Sequence, residues 1–353
     1  MGKYYYLIAG LPNLMFDGGK PPFTISMFKD QLAPFLTKRD KRLLELLFLK
    51  IDNKNLLEQL QNTDCEPTPG GKYTVEELKV LISGFKNEIE SRKKWEEDTK
   101  DYKKAKKDRE NQIKEDRKKY KEELRALDFW VQERPSPPPP PPPLPPPPPR
   151  PPRFKNRNKR LPDYLITFTK MYFESVVYEK ESAIPWEDRL SSLYYVYAIK
   201  HSDSFLTLWF ELNLNINNIY TAITCRKYEL DRAIYIVGDT ETSKKLRTST
   251  ARDFELGESL KYLSSLLLIA EETDWLQREW QTDSLKWEWL DEQIFIKVFG
   301  PEAIMTYMLK IEMLERWANF DKVAGENVLR QMVGTMKKGG NNTLEEFKRN
   351  NKK

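Results

Sequence analysis

The sequence predicts an all-α protein of repeated helical bundles, with a long charged helix and a polyproline linker. Three observations predict it. Apolar residues recur at helical spacing through most of the chain, and alternating strand patterns are nearly absent. Between Lys86 and Arg125, 28 of 40 residues are charged, and no Gly or Pro occurs from Phe85 to Arg134. Fifteen of the eighteen residues from Pro135 to Pro152 are proline, a composition that no helix or strand interior survives.

The elements follow in order. "KYYYLIAGLPNLMF" opens either as a strand or as the first turn of a helix, with its aromatics buried. "SMFKDQLAPFLTKRDKRLLELLFLKIDNKNLLEQLQ" reads as helices, with Leu43, Leu46, Leu47 and Ile51 on one face. Residues 62–74 form a loop marked by two prolines and two glycines. Thr74 followed by Glu77 is a capping box that starts a new helix. The charged stretch after it favours helix, since mixed signs allow i,i+4 pairs. Its apolar residues fall at Trp95 and Tyr102, then after a skip at Ile113, Tyr120 and Leu127. One apolar residue per seven is half of a coiled-coil seam. Two readings fit: a long solvated helix packed along one edge, or a coiled coil with a partner.

The proline tract must run as a polyproline II rod, about 55 Å long if fully extended. It reads either as a stiff linker or as a ligand for a proline-binding module. Six basic residues and no acid lie between Arg150 and Arg160. That run is either a solvated segment or a contact for phosphate or anionic lipid. Beyond it, helix patterns recur from Leu161 to Lys337, punctuated by Gly238, Gly257 and Gly300. Pro301 suits the first position of a helix. The expected organisation is a first bundle over 1–84 and a long charged helix over 85–134. A proline-rich, basic linker over 135–160 follows. A second bundle, with room for a third, covers 161–340, and a polar tail covers 341–353.

Composition bounds the function. A net charge of +5 over 353 residues is too small for a globally basic nucleic-acid binder, so no nucleic-acid partner is expected. Two cysteines, Cys65 and Cys225, make no disulfide or metal framework. No run approaches the ~18 to 20 apolar residues that cross a bilayer, and the opening apolar run is too brief for a signal peptide. The expectation is a soluble cytoplasmic protein with at most a peripheral membrane role. The single histidine, His201, excludes His-cluster metal sites and disfavours a His-based triad. No phosphate loop, dinucleotide fingerprint or Cys-x-x-Cys occurs. Carboxylate pairs such as Glu271 and Glu272 sit in charged helices, where a solvated face is the ordinary role. No catalytic residue, cofactor or metal is expected.

One pattern is left to explain. "LFLKIDNKNLLEQL" (47–60) and "FELNLNINNIYTAI" (210–223) align with an offset of 163, placing Asp52 on Asn215 and Asn55 on Asn218. Upstream, Asp40 falls on Asp203. Residues three apart share a helix side. Asp and Asn prefer caps and turns, so these positions read either as capping at a helix start or as a polar strip used twice by a duplicated domain.

The D-x-x-N-L and N-x-x-N-I-x-T-A-I elements resemble those of the C subunit of V/A-type ATPases (the d subunit of eukaryotic V-type enzymes). That family is built from three related helical bundles. "FGPEAIMTYMLKIEMLERWANFDKVAGE" (299–326) resembles its closing helix, with a further helix after Gly325. The opening "YYYLIAGLPNLMFD" and the tract "DSLKWEWLDEQIFIKVFGPEAIMTYMLKIEMLERW" are similar to a bacterial family known as domain of unknown function 2764. Its members are similar to the C subunit and are encoded among V-type ATPase genes. The resemblance covers 1–130 and 161–335, and the proline tract departs from the C-subunit pattern. It implies a non-catalytic central-stalk component whose partners are the rotor ring and the central shaft, with ATP hydrolysis and ion passage, proton or sodium, carried by other parts of the complex. It implies peripheral contact with the inner face of the cell membrane. By motif position it points to Asp52, Asn55, Asn215 and Asn218 as structural or shaft-facing, and to Lys310, Glu312, Glu315 and Arg316 as interface residues. Glu312 and Arg316 also have the spacing of an intrahelical ion pair. The rival readings are a proline-rich coiled-coil scaffold and an RNA- or lipid-binding protein acting through Arg150–Arg160.

Overall fold

A computed structural model describes residues 4–16, 21–61, 66–126, 136–141, 143–155, 161–179, 184–295 and 297–318. The chain is all-α; among the described residues there is no strand. The helices are α1 (Tyr5–Ala9), α2 (Ile25–Leu32), α3 (Lys38–Gln61), α4 (Val75–Ala126), α5 (Asp163–Val177) and α6 (Trp186–His201). They continue with α7 (Ser204–Lys227), α8 (Arg232–Tyr235), α9 (Glu241–Thr248), α10 (Leu263–Ala270), α11 (Trp275–Ile294) and α12 (Pro301–Ala318). The chain divides into two compact units, residues 48–197 and residues 1–47 with 198–353. Cys65, Leu127, the basic residues 156–160, the expected helix after Gly325 and the polar tail 341–353 lie outside the described residues.

In the unit of residues 48–197, α4 is 52 residues long. The capping box starts it: the Thr74 amide donates to Glu77 Oε2 at 3.1 Å, and the Glu77 amide to Thr74 Oγ1 at 3.3 Å. Its first turns are apolar on one face, burying Leu78, Leu81, Phe85 and Ile89. That face packs against α5, which buries Leu165 and Phe168 completely. Polar bonds extend the pairing, with Lys93 Nζ donating to the Val177 carbonyl at 2.8 Å and Tyr178 to Glu96 at 3.0 Å.

In the other unit, α7 is the central helix. Phe205, Leu206, Trp209, Phe210, Leu212 and Ile216 are buried on several of its sides, because α8, α9 and α10 all pack on it. Asp203 caps it by accepting from the Leu206 amide at 2.9 Å. Asp40, its sequence counterpart, does not cap α3. Thr37 does that, accepting from the Asp40 amide at 3.2 Å, while the Asp40 carboxylate accepts from the buried Tyr4 hydroxyl. The expected burial of the opening aromatics holds only for Tyr4, which anchors the helical turn α1 to the start of α3; Tyr5 is half-buried and Tyr6 is 82% exposed. α12 begins at Pro301, packs on α11 and α2, and buries Ile304, Met305, Met308 and Ile311. Helices α8 and α9 are short insertions after α7 that carry no long apolar period. Only their caps, Asp231 and Thr240, announce them.

Tyr307 on α12 is half-buried and donates to the Pro12 carbonyl at 2.9 Å. Burial pushes its hydroxyl up to about 12. The neutral form is therefore the one the fold favours. Its contribution is complete below pH ~10, where an unfolded tyrosine titrates, and is lost as pH rises toward the folded value. Melting temperature should fall more steeply between pH 9.5 and 11.5 (approximate limits of the window) in the natural chain than in Tyr307→Phe. Equal slopes would remove Tyr307 from the account.

Candidate functional site

The aligned polar positions sit in the middle of α3 and α7, not at helix starts. The capping expectation is therefore corrected. All four are buried, from 0% exposure for Asp52 to 7% for Asn215. A polar group so placed needs partners, and each finds them on its own chain.

Asn55 and Asn218 do the same thing. The Thr68 amide donates to Asn55 Oδ1 at 2.8 Å, and Asn55 Nδ2 donates to the Thr68 carbonyl at 3.0 Å. The Val237 amide donates to Asn218 Oδ1 at 3.0 Å, and Asn218 Nδ2 donates to the Val237 carbonyl at 2.7 Å. A side-chain amide offers one acceptor and a donor in the plane that a peptide group offers. Each Asn thus stands in for a strand partner and closes both backbone groups of one loop residue. In each case the clamped loop leads through a glycine to a threonine N-cap: Gly71 and Thr74 before α4, Gly238 and Thr240 before α9. Space requires the first glycine, and a left-handed backbone favours the second. A Cβ on Gly71 would lie 2.6 Å from Asp52 Oδ1, and one on Gly238, at φ +81°, would lie 3.0 Å from Leu214 Cδ2.

The partner positions differ. Asp52 accepts from the amides of Lys72 and Tyr73, both at 3.0 Å. Asn215 instead donates to the Tyr262 hydroxyl at 3.2 Å. Tyr164, which donates to Asn53 at 2.6 Å, is raised well above its ordinary value by burial first and by the Asp52 charge second.

The four positions on α12 also resolve. Lys310 is buried, pairs with Asp291, and lies 4.3 Å from the centre of the Trp287 ring. Burial lowers its pKa, with Asp291 opposing. Glu315 accepts from the Ile25 amide at 3.0 Å, a carboxylate at the N-terminus of α2 where the helix dipole favours it. Glu312 is exposed. Arg316 reaches α11, bonding to Asp283 and lying 3.7 Å from Glu279. The expected Glu312–Arg316 intrahelical pair is not what Arg316 makes, because the buried Asp283 carboxylate is a better-desolvated acceptor than an exposed one. Sequence reasoning missed Asp283, which also accepts from Trp317 Nε1 at 3.0 Å and lies 3.5 Å from Lys286. No local spacing rule links residues 33 apart.

A groove of about 960 Å³ runs between α10 and α11. Leu268, Trp280, Leu285 and Trp289 line it, and Leu268 is 72% exposed. Glu271, Glu272, Glu288 and Glu292 also line it, against one basic residue, Lys261. Apolar side chains and four glutamates thus line the same groove. Among the described residues no cluster of His, Cys, Asp or Glu is placed to hold a metal, and no helix is long and apolar enough to cross a membrane.

The sequence profile of a family described as "Protein of unknown function (DUF2764)" matches residues 1–130 and 153–340. No curated protein and no solved structure matches the chain.

Proposed function

We propose, from the premise that the chain belongs to the family described as Protein of unknown function (DUF2764), that it is a non-catalytic central-stalk subunit of a V/A-type rotary ATPase. In this reading it couples the central shaft to the membrane rotor ring and touches the membrane only through that complex. The observation that carries the proposal is the pair of Asn clamps. Two helices of 24 residues each use the same side chain to fasten a loop further along the chain, Thr68 directly after α3 and Val237 after α8. That supports two modules of common descent, as the resemblance to the ATPase C subunit implies. A coupling part must resist torque, and clamped loops on helices packed through Trp, Tyr and Phe supply stiffness. The acidic groove of α10 and α11 is the surface this reading assigns to a partner.

The experiment is affinity purification of the tagged chain from membranes of its native host. Shaft and ring components should co-purify with it. Leu268→Glu, which places a charge at an exposed position on the groove, should reduce their recovery at least about tenfold, roughly 1.4 kcal/mol of affinity, without changing helix content. A natural chain that brings down neither shaft nor ring retires the proposal.

A further inference from the structure

The long charged helix and the proline tract pack on each other. Trp95 Nε1 donates to the Pro148 carbonyl at 3.0 Å, and Arg109 Nη2 donates to the Pro141 carbonyl at 3.1 Å. The Arg150 guanidinium lies 5.7 Å from the centre of the Trp95 ring. Leu144 and Pro145 line one trough with Tyr102 and Ala105. At the far end the Phe154 ring meets Phe85 edge-on at 5.1 Å, and the Phe154 amide donates to Glu88 Oε2 at 3.0 Å. Gly84 makes room, since a Cβ there would lie 2.3 Å from the Phe154 ring. The tract runs antiparallel to α4.

The dimensions agree. From Trp95 to Arg109 is fourteen residues of helix, about 21 Å at 1.5 Å each. From Pro141 to Pro148 is seven residues, about 22 Å at the polyproline II rise of 3.1 Å. On the tract, the half-buried ones among the described residues are 141, 144, 148, 151 and 154, a repeat close to the three residues per turn of that helix. On α4, Trp95, Tyr102 and Arg109, seven residues apart, are half-buried within a mostly exposed run, with half-buried Thr99 between the first two. Two heptads of α-helix therefore measure the same length as seven residues of rod.

The chemistry also agrees. A proline-rich backbone has carbonyls to offer and no N–H. Opposite it α4 presents donors, the indole of Trp95 and the guanidinium of Arg109. Opposite Phe154, which has an N–H, α4 presents the acceptor Glu88. We infer that the stripe Trp95–Tyr102–Arg109 of α4 is a polyproline-binding surface, and that its ligand is Pro141 with residues 143–154 of the same chain. The rod is stiff before it docks, so ordering it costs little. The aromatic seam is thereby covered by the chain itself, and the tract is withheld from proline-recognition modules. This goes beyond the proposed function and does not depend on it.

Two measurements test it. In the first, residues 136–152 are replaced by Gly and Ser at equal length, and a labelled peptide of residues 139–155 is titrated in. The replaced chain should bind the peptide saturably, at least tenfold more tightly than the natural chain, whose site is filled. Trp95→Ala in the replaced chain should lose the same factor. Absence of binding, or binding unaffected by Trp95→Ala, overturns the inference. The second uses the full chain, in case the replacement fails to fold. A WW domain should bind the natural chain at least tenfold more weakly than it binds the double variant Trp95→Ala, Arg109→Ala. Equal affinity for the two contradicts a sequestered rod.

Discussion

Asp52→Ala is expected to destabilise the unit of residues 48–197 by about 3 kcal/mol. The carboxylate is wholly buried and accepts from two backbone amides, those of Lys72 and Tyr73. Bonds to a charged acceptor contribute about 1.5 to 3 kcal/mol each, but the two losses are unequal. Lys72 is exposed, so water replaces the lost acceptor, whereas Tyr73 is buried and its amide is left without one. The effect should appear as an earlier denaturation midpoint and as faster hydrogen exchange at Tyr73. A second readout is independent of stability. Because the Asp52 charge helps hold Tyr164 protonated, Asp52→Asn should lower the Tyr164 pKa in a ¹³C-tyrosine titration, while burial keeps it above its ordinary value. A Tyr164 titration unchanged by Asp52→Asn would contradict the assigned neighbourhood. Asn215→Ala, at the aligned position, removes a single neutral bond and should cost only about 1 kcal/mol.

Asn218→Ala comes next in expected size, at about 2 to 3 kcal/mol. It removes an acceptor from the Val237 amide and a donor from both the Val237 carbonyl and Ser243 Oγ. Asn218→Asp is the sharper variant, since it keeps the shape but sets an oxygen against the Val237 carbonyl at 2.7 Å. It should be at least as damaging as Ala. Asn55→Ala should cost less, because the Asn55 amide closes only the two backbone groups of Thr68. Hydrogen exchange at the Val237 amide should rise in both Asn218 variants and stay unchanged in Asn55→Ala. If Asn218→Asp is as stable as the natural chain, the clamp is not holding that loop.

The fold is legible in the sequence wherever a local rule governs. Thr74 with Glu77 announces the start of α4, Asp203 and Asp274 begin α7 and α11, and Pro301 opens α12. The match between the two polar segments is visible as spacing. Its role is not, because Asn55 and Asn218 obey a long-range need. Their intrinsic preference is for caps, and half-buried loop backbone 13 and 19 residues away overrides it. Arg316 shows the same limit, since a buried acceptor on α11 outcompetes the i,i+4 neighbour. The proline tract is the instructive case. In the sequence, one apolar residue per seven on α4 reads as half a seam, and the rod reads as a separate linker or ligand. Only the rise per residue of the two helices reveals that one measures the other.

The central claim is mechanical coupling, and ion pumping measures it most directly. For the test, a V/A-type rotary ATPase that co-purifies with this chain, as the proposed function requires, is stripped of the chain and reconstituted into vesicles with and without it. The account predicts that ATP hydrolysis persists without the chain while ion transport collapses, and that adding the natural chain restores transport. Transport that proceeds equally well without it would contradict the account.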